Sequence, residues 1–79
     1  MQIEAYKFYK RIGRTYTAYL APQISLGNGR FRGREIIFTN NKPPDITINE
    51  NTTMRYGEGM TLVTHAEWDA ARELARSMI

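Results

Sequence analysis

The chain has 79 residues, of which 42% are hydrophobic and 24% charged, with a formal net charge of +3 and no cysteine. This length predicts one domain with a small core, and the lack of cysteine excludes a disulfide scaffold, a thiol nucleophile and a zinc finger. Eight of the eleven Lys and Arg residues, but only two of the eight acidic residues, lie in residues 1–42. The first half of the chain is therefore expected to face any anionic partner.

The same features predict a cytoplasmic protein with no membrane contact. Small secreted domains usually carry disulfides, which this chain cannot form. No apolar run approaches the ~18 residues of a membrane span. Charged residues interrupt residues 1–20, so we expect no signal peptide.

The first segment predicts a β-hairpin of residues 3–12 and 15–21. Aromatic residues favour strands here, and Gly13-Arg14 suits a two-residue turn. Pro22 is expected to end the second strand, because proline cannot donate a ladder hydrogen bond. A helix ending at Gly13 is the alternative for the first strand, since apolar side chains also recur at helical spacing, at Ala5, Phe8, Tyr9 and Ile12.

The middle of the chain predicts further short strands. Gly27-Asn28-Gly29 is a strong turn signal and precedes a third strand at residues 30–39, followed by a loop. Alternation predicts a fourth strand at residues 45–49. Residues 50–51 can turn the chain into residues 52–56, which are left open as an additional strand, and a glycine break at residues 57–59 precedes a last strand at 60–63.

A C-terminal helix is predicted at residues 65–78. Thr64 and Glu67 have the spacing of a capping box, and Val63 and Trp68 that of a hydrophobic staple. Apolar side chains then fall near one helix face, at Trp68, Ala71, Ala75 and Met78, with Leu74 beside them.

These elements predict one α+β domain over residues 1–79. An antiparallel, meander-like sheet of four to five strands has one face covered by the C-terminal helix. We expect free strand edges at residues 15–21 or 45–49, where a second copy could pair to form a homodimer.

The sequence carries no recognisable catalytic constellation. His65 is the one histidine, and Ser25 and Ser77 lie outside any nucleophile-elbow context. His65 with Glu67 or Asp69 lacks metal-ligand spacing, and the paired glycines lack the remainder of a phosphate-binding loop. We therefore predict a non-enzymatic protein with no cofactor and no metal.

The strongest chemical pattern is a row of alternating arginines. Arg30, Arg32 and Arg34 point to the same side if residues 30–39 form a regular strand. Further cations and tyrosines cluster around the first hairpin. The predicted partner-binding set is Lys7, Lys10, Arg11, Arg14, Tyr16, Tyr19, Arg30, Arg32 and Arg34.

Such a patch has two functional interpretations. It can dock an acidic protein surface, with Arg and Tyr as anchors, or hold phosphates while tyrosines stack on bases. A third interpretation is that the cations only keep an open sheet face soluble. Protein binding is our first hypothesis, and a small basic nucleic-acid-binding protein is the alternative.

In its shortness, lack of cysteine, hairpin-rich sheet and single capped helix, the chain resembles small proteins that phages and mobile elements encode against bacterial defences, anti-CRISPR proteins especially. The resemblance lies in the whole chain rather than in a motif such as Arg30–Arg34 or Thr64–Trp68. It implies stoichiometric inhibition in the host cytoplasm, by occupying a surface of a nuclease or surveillance complex. Because this chain is basic, the resemblance implies contact with an acidic protein patch, or with bound guide or target nucleic acid, rather than mimicry of DNA.

Overall fold

The structure, a computed structural model, describes residues 3–55 and 59–79. Five antiparallel strands form one open sheet and a single helix packs on one face, which confirms the predicted α+β architecture. In chain order the elements are β1 (Phe8–Ile12), β2 (Tyr16–Gly27), β3 (Arg30–Thr39), β4 (Ile46–Arg55), β5 (Met60–Val63) and α1 (His65–Ser77).

The strands are arranged in the order β4-β3-β2-β1-β5. The first four follow one another as a meander, and β5 pairs with the far side of β1, from Phe8 opposite Val63 to Arg11 opposite Met60. β2 therefore lies inside the sheet, and the prediction of a free edge at residues 15–21 is wrong. The edge strands are β4, which contains residues 46–49, and β5.

The first hairpin is shorter than predicted at its start. Residues 3–7 form neither strand nor helix, because Tyr6 adopts the left-handed backbone conformation with φ 65°. A strand cannot continue through such a residue. This segment instead lies along the sheet, where Tyr6 N donates to Pro22 O at 2.9 Å and Ile3 is buried. The strand interpretation holds for Phe8–Ile12, and the helical alternative is wrong.

The turn of this hairpin lies one residue later than predicted. Gly13 N donates to Tyr16 O at 2.9 Å, which leaves Arg14 and Thr15 as the two turn residues. Gly13 does not have a positive φ. Its role is spatial, because a Cβ there would collide with the ring of Tyr16.

β2 does not stop at Pro22, contrary to the prediction. The carbonyl of Pro22 faces the β1 side of the strand, where it accepts from Tyr6, and its nitrogen faces the same side. β1 has not yet begun at that level, since its first partner on β2 is Leu20. The missing N–H therefore removes no ladder bond. β2 continues through two irregularities to the predicted turn, where Asn28 and Gly29 both have positive φ.

β4 is one continuous strand, where the sequence predicts a strand at residues 45–49 and leaves a second one open at residues 52–56. Glu50 and Asn51 do not turn the chain, because the extra residue is absorbed as a bulge opposite Gly33 and Glu35 of β3. The end of the predicted strand at residue 56 and the glycine signal at residues 57–58 lie outside the described residues. β5 and the β2–β3 turn are confirmed as predicted.

α1 begins as the sequence predicts. Thr64 is the N-cap, and its Oγ1 accepts from Glu67 N at 3.1 Å. Trp68, Ala71 and Ala75 are buried against the sheet. Met78, which was expected on the same face, is exposed because it is the C-cap, beyond the last helical residue.

The sheet is strongly bent. Arg11 Nη2 on β1 donates to Arg55 O on β4 at 3.0 Å. These strands are separated by β2 and β3, and in a flat sheet they would lie about 14 Å apart. The far halves of β2, β3 and β4 therefore curve back over the face that the helix leaves uncovered.

Bending gives the sheet two apolar clusters, one on each face. The helix side holds Ala21, Ile36, Trp68 and Ala75, with Phe8, Tyr19 and Phe38 packed around them. The other side is filled by residues from the N-terminal segment and all five strands, namely Ile3, Tyr9, Ala18, Leu20, Phe31, Met54 and Met60.

Candidate interaction surface

β3 places the predicted arginine row on the side of the sheet that carries the helix. The irregularities of pairing put extra residues on β2 and β4, so β3 itself keeps its alternation. Phe31 and Gly33 are buried toward the second cluster, while Arg30 and Arg32 are exposed on the opposite face. The helix does not cover this far end of the sheet.

Arg34 has a different environment from the other two arginines of the row. Its guanidinium carbon lies 5.3 Å from the ring centroid of Trp68, and its Nε is buried without a hydrogen-bond partner among the described residues. A cation over an indole face is stabilised by the ring quadrupole. Arg34 therefore packs against the helix cluster and is not part of the open surface.

Arg55 joins the exposed arginines from the neighbouring strand. It lies directly opposite Arg30 in the β3–β4 register, and Thr53 lies opposite Arg32. None of these three arginines forms an ion pair with the part of the chain that the structure describes. We call Arg30, Arg32 and Arg55 the arginine face.

The register of the arginine face has an energetic cost. Like charges directly opposite each other on neighbouring strands destabilise a sheet. The strands could have carried an acid at either position without changing the pairing. An anionic group bound between Arg30 and Arg55 would remove this repulsion.

Apolar side chains lie beside the arginine face. Ile24 of β2 is directly opposite Arg32 and 56% exposed, and Leu26, near the turn, is 41% exposed. The far end of the sheet thus presents exposed cations next to exposed branched apolar side chains. This mixture is typical of surfaces that bind proteins.

The remaining predicted cations are dispersed around the domain. Lys7, before β1, lies 2.9 Å from Glu4, whose hydrogen bond and negative charge raise the pKa of the Lys7 ammonium above its ordinary value. Arg14 is exposed in the first turn, where its carbonyl accepts from Asn40 at 3.2 Å. Both lie outside the arginine face.

Lys10 and Arg11 project from opposite faces of β1. Lys10 is on the helix side, with its Nζ 5.6 Å from the ring centroid of Tyr19 and 3.8 Å from Glu67. Arg11 is on the other side and donates to Arg55 O. The structure therefore does not gather the predicted cations into one patch.

The two predicted tyrosines lie away from the arginine face. Tyr19 packs edge-on against Phe38, with ring centroids 6.1 Å apart, beside the helix. Tyr16 is half-buried on the opposite face, against the second cluster. Neither ring is positioned to stack on a base whose phosphates contact Arg30 and Arg32.

Sequence reasoning missed Arg55 and Ile24. The sequence predicts a turn at Glu50-Asn51, before Arg55, and the end of the second strand at Pro22, before Ile24. Neither residue was therefore expected in the long strand where it lies. The alternation of Thr53 and Arg55 was a usable signal, but only if β4 was read as one strand.

In the described part of the chain, no helix is long and apolar enough to cross a membrane, and no three His, Cys, Asp or Glu side chains converge as metal ligands would. His65 stacks on Phe8, with ring centroids 4.8 Å apart. No protein-family model, no curated protein and no solved structure matches this chain.

Proposed function

We propose that the protein is a non-enzymatic binding module of the cytoplasm that contacts an acidic surface of a protein partner through the arginine face. The observation that carries the proposal is the placement of Arg30 directly opposite Arg55, with Arg32 two residues along. Guanidinium groups at this spacing suit carboxylates, which they bind with paired hydrogen bonds.

A protein partner is favoured over nucleic acid by the neighbours of these arginines. Ile24 and Leu26 are exposed beside them, and apolar side chains next to arginines are typical anchors of protein interfaces. Tyr16 and Tyr19, which would supply stacking on bases, lie elsewhere.

The resemblance to anti-CRISPR proteins supplies the partner class to test first. We propose that the acidic surface belongs to a bacterial nuclease or surveillance complex, and that the protein inhibits this complex by occupying that surface. Inhibition of this kind is stoichiometric and needs no chemistry from the inhibitor.

The test compares two double variants that remove the same charge. Arg30→Gln with Arg32→Gln changes the arginine face, and Arg72→Gln with Arg76→Gln changes the helix. Each variant, with the parent, is used to capture material from a lysate of a CRISPR-containing bacterium, with and without nuclease. Circular dichroism checks that all three proteins are folded.

We expect one protein complex to be retained after nuclease by the parent and by the helix variant, and lost by the arginine-face variant. Once this complex is purified, one equivalent of the parent protein should abolish its cleavage of the target. Capture that disappears with nuclease would contradict the proposal and support the nucleic-acid alternative. In that case log affinity should fall linearly with log salt concentration. Equal capture by both variants would show that the arginine face only solubilises the sheet.

A further inference from the structure

A second candidate site lies on the face of the sheet opposite the helix. A cavity of about 330 Å³ opens there, near the end that carries the Arg14-Thr15 turn. The alternation of β3 separates it from the arginine face, since Glu35 and Ile37 point to one side and Arg30 and Arg32 to the other.

The cavity exists because a small residue lies between larger ones. Ala18 of β2 is directly opposite Arg11 of β1 and Ile37 of β3. Ala18 is buried, with 3% exposure, and forms the floor. Tyr16, one side chain along β2 on the same face, forms a wall.

Two opposite charges line this cavity. Arg11 donates through Nη2 to Arg55 O, while its Nε is buried without an acceptor among the described residues. Glu35 accepts from Asn49 Nδ2 through one carboxylate oxygen, at 3.1 Å. No ion pair joins Arg11 to Glu35, or either one to another described residue.

Arg11 and Glu35 can each bind one polar group of a ligand in this cavity. The guanidinium of Arg11 has N–H donors besides the one that Nη2 gives to Arg55 O, and a carboxylate is the acceptor that its charge favours most. The second oxygen of Glu35 can accept from a donor, and an ammonium group is the donor that its charge favours most. A ligand that carries one charge only would satisfy one end and be repelled by the other.

We propose that the cavity binds a small zwitterion of the chemistry of a free α-amino acid with an apolar side chain. Its carboxylate contacts Arg11 and its ammonium contacts Glu35. The apolar side chain lies over Ala18 and Ile37, against the ring of Tyr16. A volume of about 330 Å³ is in the range of sites for small ligands.

Three matched probes test the two charges separately. L-leucine carries both charges, N-acetyl-L-leucine lacks the ammonium, and L-leucinamide lacks the carboxylate. Each is titrated into the labelled protein, and NMR follows the backbone amides of Ala18 and Ile37 and the side-chain Nε–H of Arg11. We expect L-leucine to cause saturable chemical-shift changes at these positions. Each of the other two probes should bind at least about tenfold more weakly.

Variants assign the effect to the cavity. Glu35→Gln keeps the shape and removes the charge, so L-leucine should bind it about tenfold or more weakly. Glu73→Gln, on the helix, removes the same charge elsewhere and should leave binding unchanged. Arg11→Lys keeps the charge but loses the planar donors, and thermal unfolding checks that it is folded.

The absence of a saturable shift with L-leucine, equal binding of the three probes, or unchanged binding by Glu35→Gln would each overturn the proposal. Because Arg30→Gln with Arg32→Gln does not alter the cavity, that variant separates failure of this site from failure of the arginine face.

Discussion

The two faces of the sheet are closed in different ways. On one face a separate element, α1, covers the apolar side chains, with Trp68 at the centre of the contact. On the other face the sheet covers itself, because the far halves of β2, β3 and β4 bend back toward β1. The first solution depends on a local pattern, whereas the second depends on bulges and on contacts between residues far apart in the chain. A domain of this size buries little surface in total, so both clusters should matter to its stability.

The helix-covered face should respond most strongly to truncation. Trp68 is 1% exposed and also carries Arg34 over its ring. Trp68→Ala should lower the free energy of unfolding by about 3–5 kcal/mol, measured by urea denaturation. Leu74→Ala changes a side chain of the same helix that is 54% exposed, and should cost about 0.5 kcal/mol or less. Equal losses for the two variants would mean that Trp68 is not the centre of this cluster.

Truncation on the face that the sheet covers itself should lower the free energy of unfolding by nearly as much. Leu20 is 1% exposed and lies between Tyr9 and Glu35 in the sheet. Leu20→Ala should cost about 2–5 kcal/mol, against about 0.5 kcal/mol or less for the half-exposed Leu62→Ala on β5.

The same variant shows whether the two clusters unfold together. Trp68 fluorescence reports the helix side, and far-ultraviolet circular dichroism reports the whole sheet. Coincident transitions in Leu20→Ala would indicate one cooperative unit. A fluorescence transition at higher denaturant concentration would show that the helix-covered face survives alone.

The bend itself can be tested at Gly33. A Cβ at this position would collide with the carbonyl oxygen of Ala21 on β2, so the two backbones approach each other more closely than other residues allow. Gly33→Ala should therefore cost about 1–3 kcal/mol, with the largest amide shifts at the far ends of β2 and β3. Gln23→Ala, exposed on the same stretch of β2, is the control and should be close to neutral. A neutral Gly33→Ala would argue against the close approach.

The smallest expected effect is a gain in the stability of the domain. Arg55→Glu replaces the repulsion between Arg55 and Arg30 with an attraction across the strands, and should stabilise the domain by about 0.2–1 kcal/mol. Arg76→Glu makes the same charge change on the helix and serves as the control. The gain should shrink in 1 M salt, where exposed charges are screened, and partner capture should weaken. A loss of stability at low salt would mean that Arg55 already has an anionic neighbour.

Local signals explain what could be predicted from the sequence. The helix follows from the cap at Thr64 and the apolar spacing from Trp68, and β3 follows from the glycine-rich turn before it. These elements are determined by neighbouring residues, so a pattern of ten residues contains the necessary information.

The errors occurred where distant contacts override local rules. Pro22 is accepted within β2 only because β1 is not beside it at that level, and Glu50-Asn51 stays extended because β3 holds both flanks of the bulge. Tyr6 leaves the strand pattern to reach Pro22. The arginine face needs this long-range register too, which is why Arg55 could not be placed beside Arg30 beforehand.

Both clusters take essential side chains from the last quarter of the chain, Met60 for one face and Trp68 with Ala75 for the other. During synthesis, β1 to β4 leave the ribosome before these residues do. Because chain elongation takes time, the nascent sheet then exists for a period with both apolar faces exposed to solvent. Folding of this domain is therefore expected to be completed only after α1 has left the ribosome, and its nascent form should be a substrate for chaperones that bind exposed strands.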